Sequence, residues 1–496
     1  MAEEKKKLIT KREIGLVVGI LVGIIVYLIP ISAEALSKGG HITLALTLMT
    51  VVWWAFQIAQ PAYVSGVFLA LLVIFGVVPL DPATLAPDAV VPAGVGLITA
   101  NATETAKIVF RSWTTQNLWL IIGAYLIAAA VESSGLGKRI AYSYMLRFVK
   151  DYKSIIVGIF VLTLILSLLI PHPWPRALMI MSVMHVIIKA SDVSKEDAVK
   201  IGFTVFAASV PVSLIFLTGD ATINILAADY AGGLSFVQWF LNMGVPALVA
   251  SILAMVLIFV LFKPKKEVVI NKEDVRANLA SLGNMSSKEI KTLAWIIIAI
   301  ALWMTDSLHG ISTGWVALIV GVLLAFPIVG GILTPKDWGT VPVQTLVFLT
   351  AAMAIGSVGG ATGMNDWIAT TFFGGISSSA LANPFVLAFI VTVIAMILHM
   401  LLGSVIAVMG VAVPAILAMT GPLGISPIVP TLIAYMAISS HYIFPFQHLN
   451  MLVGSAEETG GYTQKETIKM GIPLIAVVFI VTVVVMVPWF KITGAL

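Results

Sequence analysis

Apolar residues run along this chain in long blocks separated by short polar stretches. Blocks of about 18–25 apolar residues have the length of a helix that crosses hydrocarbon. They do not alternate with period two, which excludes the ten-residue strands of a membrane β-barrel. The pattern predicts eleven spans, near 14–31, 41–58, 61–80, 117–134, 201–226, 238–262, 292–306, 314–333, 343–361, 426–445 and 471–490. Two further apolar stretches, 154–189 and 386–420, are broken by helix-stopping residues and read as re-entrant hairpins. Irregular backbone at membrane depth is tolerated only where protein or a water-filled cavity surrounds it. The expected fold class is an all-α polytopic membrane protein.

Four segments follow: 1–40, a cytoplasmic start with the first span; 41–262, a first half; 263–291, a polar cytoplasmic linker; and 292–496, a second half. The 81–116 stretch reads as a second long loop.

Composition agrees. Apolar residues make up 59% of the 496, charged residues 10%, and the mean hydropathy is +1.06. Soluble proteins average about 25% charged residues, so a soluble enzyme or a nucleic-acid binder is excluded. With no cysteine, disulfides, iron–sulfur clusters and thiol catalysis are excluded too. Charge sets the orientation. With the N-terminus inside, 23 of the 28 lysines and arginines fall on the inner side and four outside. That asymmetry obeys the positive-inside rule and places the C-terminus outside a prokaryotic inner membrane. The first apolar stretch lacks a small-residue cleavage site and reads as an uncleaved span.

The halves resemble each other. Residues 120–141 align with 348–369 without gaps, pairing Ala124 with Ala352, Ile127 with Ile355 and Gly135 with Gly363. Met243-Gly244-Val245-Pro246 echoes Met470-Gly471-Ile472-Pro473 at nearly the same offset. The predicted topology gives the two copies opposite directions. Inverted repeats with broken helices mark secondary transporters, whose sites lie near the midplane at the breaks.

Four breaks carry polar residues. In Pro171-His172-Pro173-Trp174-Pro175-Arg176, three prolines in five positions cannot lie inside one helix. A helix starting there offers free N–H groups to an anion, and Arg176 can grip a carboxylate, pair with a buried acid such as Asp220, or do both. Thr218-Gly219-Asp220-Ala221-Thr222-Ile223-Asn224 interrupts the 201–226 span. There Thr218, Thr222 and Asn224 are candidate ligands, and Asp220 is a charge partner or proton site. A polar kink packed against its neighbours is the plainer alternative. His399 to Gly403-Ser404 forms the second hairpin tip. In the fourth break Gln447, His448 and Asn450 are the pointing groups, and His441 reads as a surface or packing residue. A lone histidine is often only a satisfied core residue. No HExxH spacing, P-loop or Ser-His-Asp order is present, so neither metal, cofactor, ATP drive nor catalysis is expected.

The chain resembles the divalent anion/sodium symporter family, which includes dicarboxylate and citrate carriers. The likeness is carried by Trp53-Trp54 through Pro61, by 119–141 and by 233–246, and it covers nearly the whole chain. It implies eleven spans with two hairpins, a homodimer in the bilayer, an elevator-type moving domain, and small carboxylate anions as substrates. Sodium-coupled members carry Ser-Asn-Thr at each hairpin tip. Here the first tip reads His172-Pro173-Trp174, and the second, Ser404-Val405-Ile406, keeps only the serine. Where the family has Thr-Pro-Pro-Asn-like breaks, this chain keeps the asparagines, Asn224 and Asn450. A dianion needs compensating positive charge. Sodium can supply it in a symporter; Arg176, with His172, His399 and His448, can supply it here. The expectation is sodium-independent exchange of one di- or tricarboxylate for another. The alternatives are sodium- or proton-coupled symport, or a passive anion channel.

Overall fold

The structure, a computed structural model, describes residues 10–78, 97–191, 193–265, 270–444, 447–448 and 461–496. Helices dominate, and no strand occurs among the described residues. Seven helical stretches are long and apolar enough to cross a membrane: Lys38–Phe56, Gln116–Ser134, Phe236–Leu261, Val343–Ala361, Pro384–Leu402, Val405–Leu423 and Gln464–Thr493. Pro61–Ile74, Tyr152–Ser167, Thr313–Leu323 and Ile428–Ser439 are shorter apolar helices.

Three elements differ from the pattern reading. The expected span 314–333 is helical only over Thr313–Leu323, because Pro327, Gly330 and Gly331 follow and Gly331 takes φ +66°. The 81–116 stretch contains the helix Leu97–Val109, whose six alanine and threonine positions hid it from a search for apolar blocks. The polar linker likewise contains a helix, Glu273–Ser281, which starts with two acids as a helix N-terminus favours.

The chain divides into two compact units. One takes residues 1–114, 343–378 and 406–423. Its first two helices, Lys11–Leu28 and Lys38–Phe56, approach closely because Gly15 and Gly19 face Phe56 and Trp53. Small residues four apart allow such crossings in membranes. The Trp53 indole N–H then reaches the carbonyl of Leu16 at 3.2 Å. Trp54, Phe68, Leu72, Ile355 and Val358 belong to the core of this unit.

The other unit takes 115–342, 379–405 and 424–496. Gln116–Ser134 packs on Thr313–Leu323 through Gly123, Gly314 and Gly321. The first hairpin is Tyr152–Ser167 and Pro173–Ala190, and its arms touch. Arg139 ties this unit's polar linker down. Its guanidinium holds Glu289 and donates to the carbonyls of Leu282, Gly283 and Asn284.

The repeat is visible in local structure. Gln116–Ser134 and Val343–Ala361 each run 19 residues. Each is followed by a left-handed glycine, Gly135 at φ +82° or Gly363 at φ +77°, and then by a shorter helix. Glycine adopts that conformation without steric cost.

Candidate functional site

The 201–226 span is two helices, Lys195–Val212 and Ile223–Tyr230, with a stretch between them that leaves the α-helix and keeps one 3-10 turn, Leu217–Asp220. Pro211 begins the break, since proline cannot continue the backbone ladder. Unwinding leaves carbonyls without helical partners, and at membrane depth each must find another donor. The sequence supplies one after another. The Asn224 amide donates to the carbonyls of Ser213 (2.8 Å), Phe216 (2.9 Å) and Leu217 (3.3 Å). The Trp239 indole donates to Leu214 O at 3.0 Å. Tyr435 closes the set, its hydroxyl donating to Asn224 Oδ1 at 2.6 Å.

Arg176 joins this stretch to the first hairpin tip. Pro173 starts the helix Pro173–Ala190, where its missing N–H costs nothing. His172 caps that helix, its Nδ1 accepting from the Trp174 N–H at 3.2 Å. One turn in, the guanidinium of Arg176 is wholly buried. It donates to Ile170 O at the tip (3.0 Å), to Gly219 O in the unwound stretch (2.9 Å) and to Ser213 Oγ. A backbone bond from Ala221 N to Pro171 O, 2.9 Å, runs alongside. Gly219 has to be glycine, because a Cβ there would meet Ser213 O at 2.5 Å. Asp220 is not the hydrogen-bonded partner of Arg176. Its carboxylate accepts from the N–H groups of Thr222 (3.2 Å) and Ile223 (3.4 Å), capping the next helix. The two charges still act on one another.

Around this brace His172 and Trp174 are partly exposed, while Thr218 is buried with its hydroxyl unpaired among the described residues. Tyr125 lies beside His172, ring centroids 5.4 Å apart, and faces Thr222.

A second cluster forms where Pro384–Leu402 meets the extended segment after Ile428–Ser439. His399 is on the last turn of the former, which ends at Gly403 in the left-handed region, with Ser404 following. His399 Nε2 lies 3.4 Å from Gln447 O. The Gln447 side-chain oxygen, Oε1, accepts from the N–H groups of Ile443 (2.6 Å) and Phe444 (2.8 Å), which folds the segment back. His441 and His448 stand 6.3 and 5.5 Å from His399, ring to ring. Asn450 lies outside the described residues.

The glycines of the second repeat match do the same job in each half. A Cβ on Gly244 would meet Ile215 O at 2.7 Å, and one on Gly471 would collide with Tyr442 O. Each lets a helix press on a carbonyl of one broken segment.

The structure thus gathers His172, Pro173, Trp174, Arg176, Thr218, Asp220, Thr222 and Asn224 into one group. It gathers His399, Gln447 and His448 into another. Tyr435 connects them, bonded to Asn224 and carried on the helix that leads into His441. Sequence reasoning missed Tyr125, Ser213, Trp239 and Tyr435, which lie in otherwise continuous apolar runs. It read His441 as a surface or packing residue, and His441 is buried. A tyrosine at membrane depth that must find a partner was the available signal. Among the described residues, no three His, Cys, Asp or Glu side chains are placed to hold a metal ion.

The family model described as the sodium:sulfate symporter transmembrane region matches residues 10–496, and the chain belongs to this family. The resemblance read from the sequence is borne out. The sodium-dependent dicarboxylate transporter SdcS of Staphylococcus saprophyticus is 21% identical over 468 residues, 87% of this chain and 83% of that one. The citrate/succinate antiporter of Escherichia coli is 25% identical over 345 residues, 64% of this chain and 66% of that one. Among solved structures, the Alcanivorax borkumensis YdaH transporter matches with a TM-score of 0.55 at 15% identity, covering 88% of this chain and 99% of that one. That likeness concerns the fold.

Proposed function

We propose that this family member is a secondary carrier of small di- and tricarboxylates of the succinate, malate, fumarate and 2-oxoglutarate class, exchanging one anion for another without sodium. It carries with it the homodimer, the elevator motion and the N-inside, C-outside topology that the resemblance implies. Small carboxylates are named for two of the relatives.

One observation carries the sodium-independence. Unwound carbonyls in broken transporter helices commonly coordinate a small cation. In this chain the oxygens of Ile170, Gly219 and Ser213 surround a guanidinium instead. A cation fixed to the protein fills the place of one that would be exchanged with solvent. A carrier holding permanent charge crosses poorly with its site empty, which favours obligatory exchange. The partly exposed His172, Trp174 and Tyr125, with Thr218 and Thr222, are the groups left to meet the anion.

Purified protein in proteoliposomes tests this. Labelled succinate should enter vesicles preloaded with dicarboxylate, equally in sodium or potassium. Sodium-driven accumulation in empty vesicles would refute exchange. Flux that does not saturate would indicate a channel.

A further inference from the structure

The histidine cluster His399, His441 and His448 has a feature that the carboxylate reading does not use. His399 and His441 are buried. His399 Nδ1, both ring nitrogens of His441 and Nε2 of His448 have no hydrogen-bond partner among the described residues. Buried polar atoms are almost always paired, so four open nitrogens in one cluster mark a place for a ligand.

The protons already committed say which ligand. A neutral imidazole has one N–H and one bare nitrogen. His399 Nε2 faces the carbonyl of Gln447, which only accepts, so the ring proton belongs there and Nδ1 is bare. His448 bonds the backbone of His441 through its other nitrogen, which leaves Nε2 bare by the same reasoning. The cluster therefore carries two bare ring nitrogens, which repel a carboxylate or sulfate oxygen. A proton added to either ring turns a bare acceptor into a charged donor.

Among the described residues, nothing else nearby supplies that charge. Pro384–Leu402 has no ionisable residue but His399, and Ile428–Ser439 has only Tyr435. Among the described residues, Tyr442 and Tyr462 are the other ionisable groups at the cluster. On Lys195–Val212, Asp197 and Lys200 pair with one another, and Glu196 pairs with Lys265. On Gln464–Phe479, Glu466 caps the helix start and Lys469 sits over Phe262. Among the described ionisable residues, the histidines face only one another and the tyrosines.

We propose that His399, His441 and His448 form an anion subsite that fills together with a proton, one imidazole becoming imidazolium as one carboxylate of the substrate arrives. This rests on the carboxylate reading for the identity of the anion. The proton comes from solvent and leaves when the anion does.

Calorimetric titration of the purified full-length chain with succinate, citrate and inorganic sulfate tests it, at pH 7.0–8.5 in buffers of different ionisation enthalpy. The expected result is an apparent enthalpy that varies with the buffer, giving uptake of about one proton per anion. Affinity should strengthen up to about tenfold per unit fall in pH. His399→Gln and His448→Gln each present an amide donor at any pH, so in a variant of the ring that accepts the proton both dependences should vanish while binding remains. Carboxylate binding with a buffer-independent enthalpy overturns the subsite and leaves the carboxylate reading standing. Sulfate bound with a proton while carboxylates are ignored overturns the carboxylate reading and keeps the subsite. No binding of any of the three overturns both.

Discussion

Replacing Arg176 separates a brace from a substrate ligand. Its guanidinium occupies three acceptors on two segments, Ile170 O, Gly219 O and Ser213 Oγ. Arg176→Met keeps much of the volume and removes every donor. A buried acceptor left unpaired costs about 1–3 kcal/mol. Three of them give a loss of at least about 3 kcal/mol, partly offset by no longer burying a charge. Arg176→Lys keeps the charge but not the planar fork, and should fall between. Thermal unfolding followed by tryptophan fluorescence, with no substrate present, reads this directly. Arg176→Ala adds a second readout, because it empties an oxygen-lined space. If sodium then binds with a Kd of about 10 mM, 100 mM sodium restores about 1.4 kcal/mol, seen as a melting temperature that rises in sodium but not in choline. An Arg176→Met protein that melts like the wild type yet loses substrate affinity would refute the brace and make Arg176 a direct ligand.

Tyr435→Phe removes the donor to Asn224 Oδ1 and should cost about 1–3 kcal/mol, with exchange slowed because Asn224 holds the unwound stretch; unchanged melting and exchange would refute this. Gly244→Ala and Gly471→Ala each push a methyl onto a carbonyl of a broken segment. Overpacking of this kind costs about 1–3 kcal/mol, and equal melting of variant and wild type would count against the close approach. Glu289 has its carboxyl held below the usual range by the hydrogen bonds from Arg139. The stabilisation is full above the unfolded carboxyl value of about 4.3 and disappears as pH falls through the lower folded value. Glu289→Gln should therefore melt below the wild type at neutral pH, with the gap closing below about pH 4. A gap independent of pH would mean that the ion pair is not its source.

The breaks were legible because their residue types are costly anywhere else. Three prolines around His172, an arginine in an apolar stretch, and Asp220 beside Gly219 can each be read one residue at a time. The partners were not. Arg176 and Asp220 are an obvious pair in sequence, yet the backbone outbid the carboxylate. Unwinding creates several orphan carbonyls within reach of one guanidinium, while Asp220 has helix N–H groups two and three residues ahead. His441 lies beside His399, a neighbour on a distant helix that local pattern does not show.

By itself the sequence determined that the chain is helical and membrane-spanning, where its helices break, and that its halves repeat. Those properties follow from hydrophobic length, proline chemistry and local pattern, which need no distant partner. Only the tertiary structure decided that Arg176 bridges the hairpin tip to the unwound helix, that Tyr435 and Trp239 complete the carbonyl set, and that three histidines are neighbours. Each of those depends on which donors come within about 3 Å of which acceptors, and folding sets that distance between residues far apart in the chain.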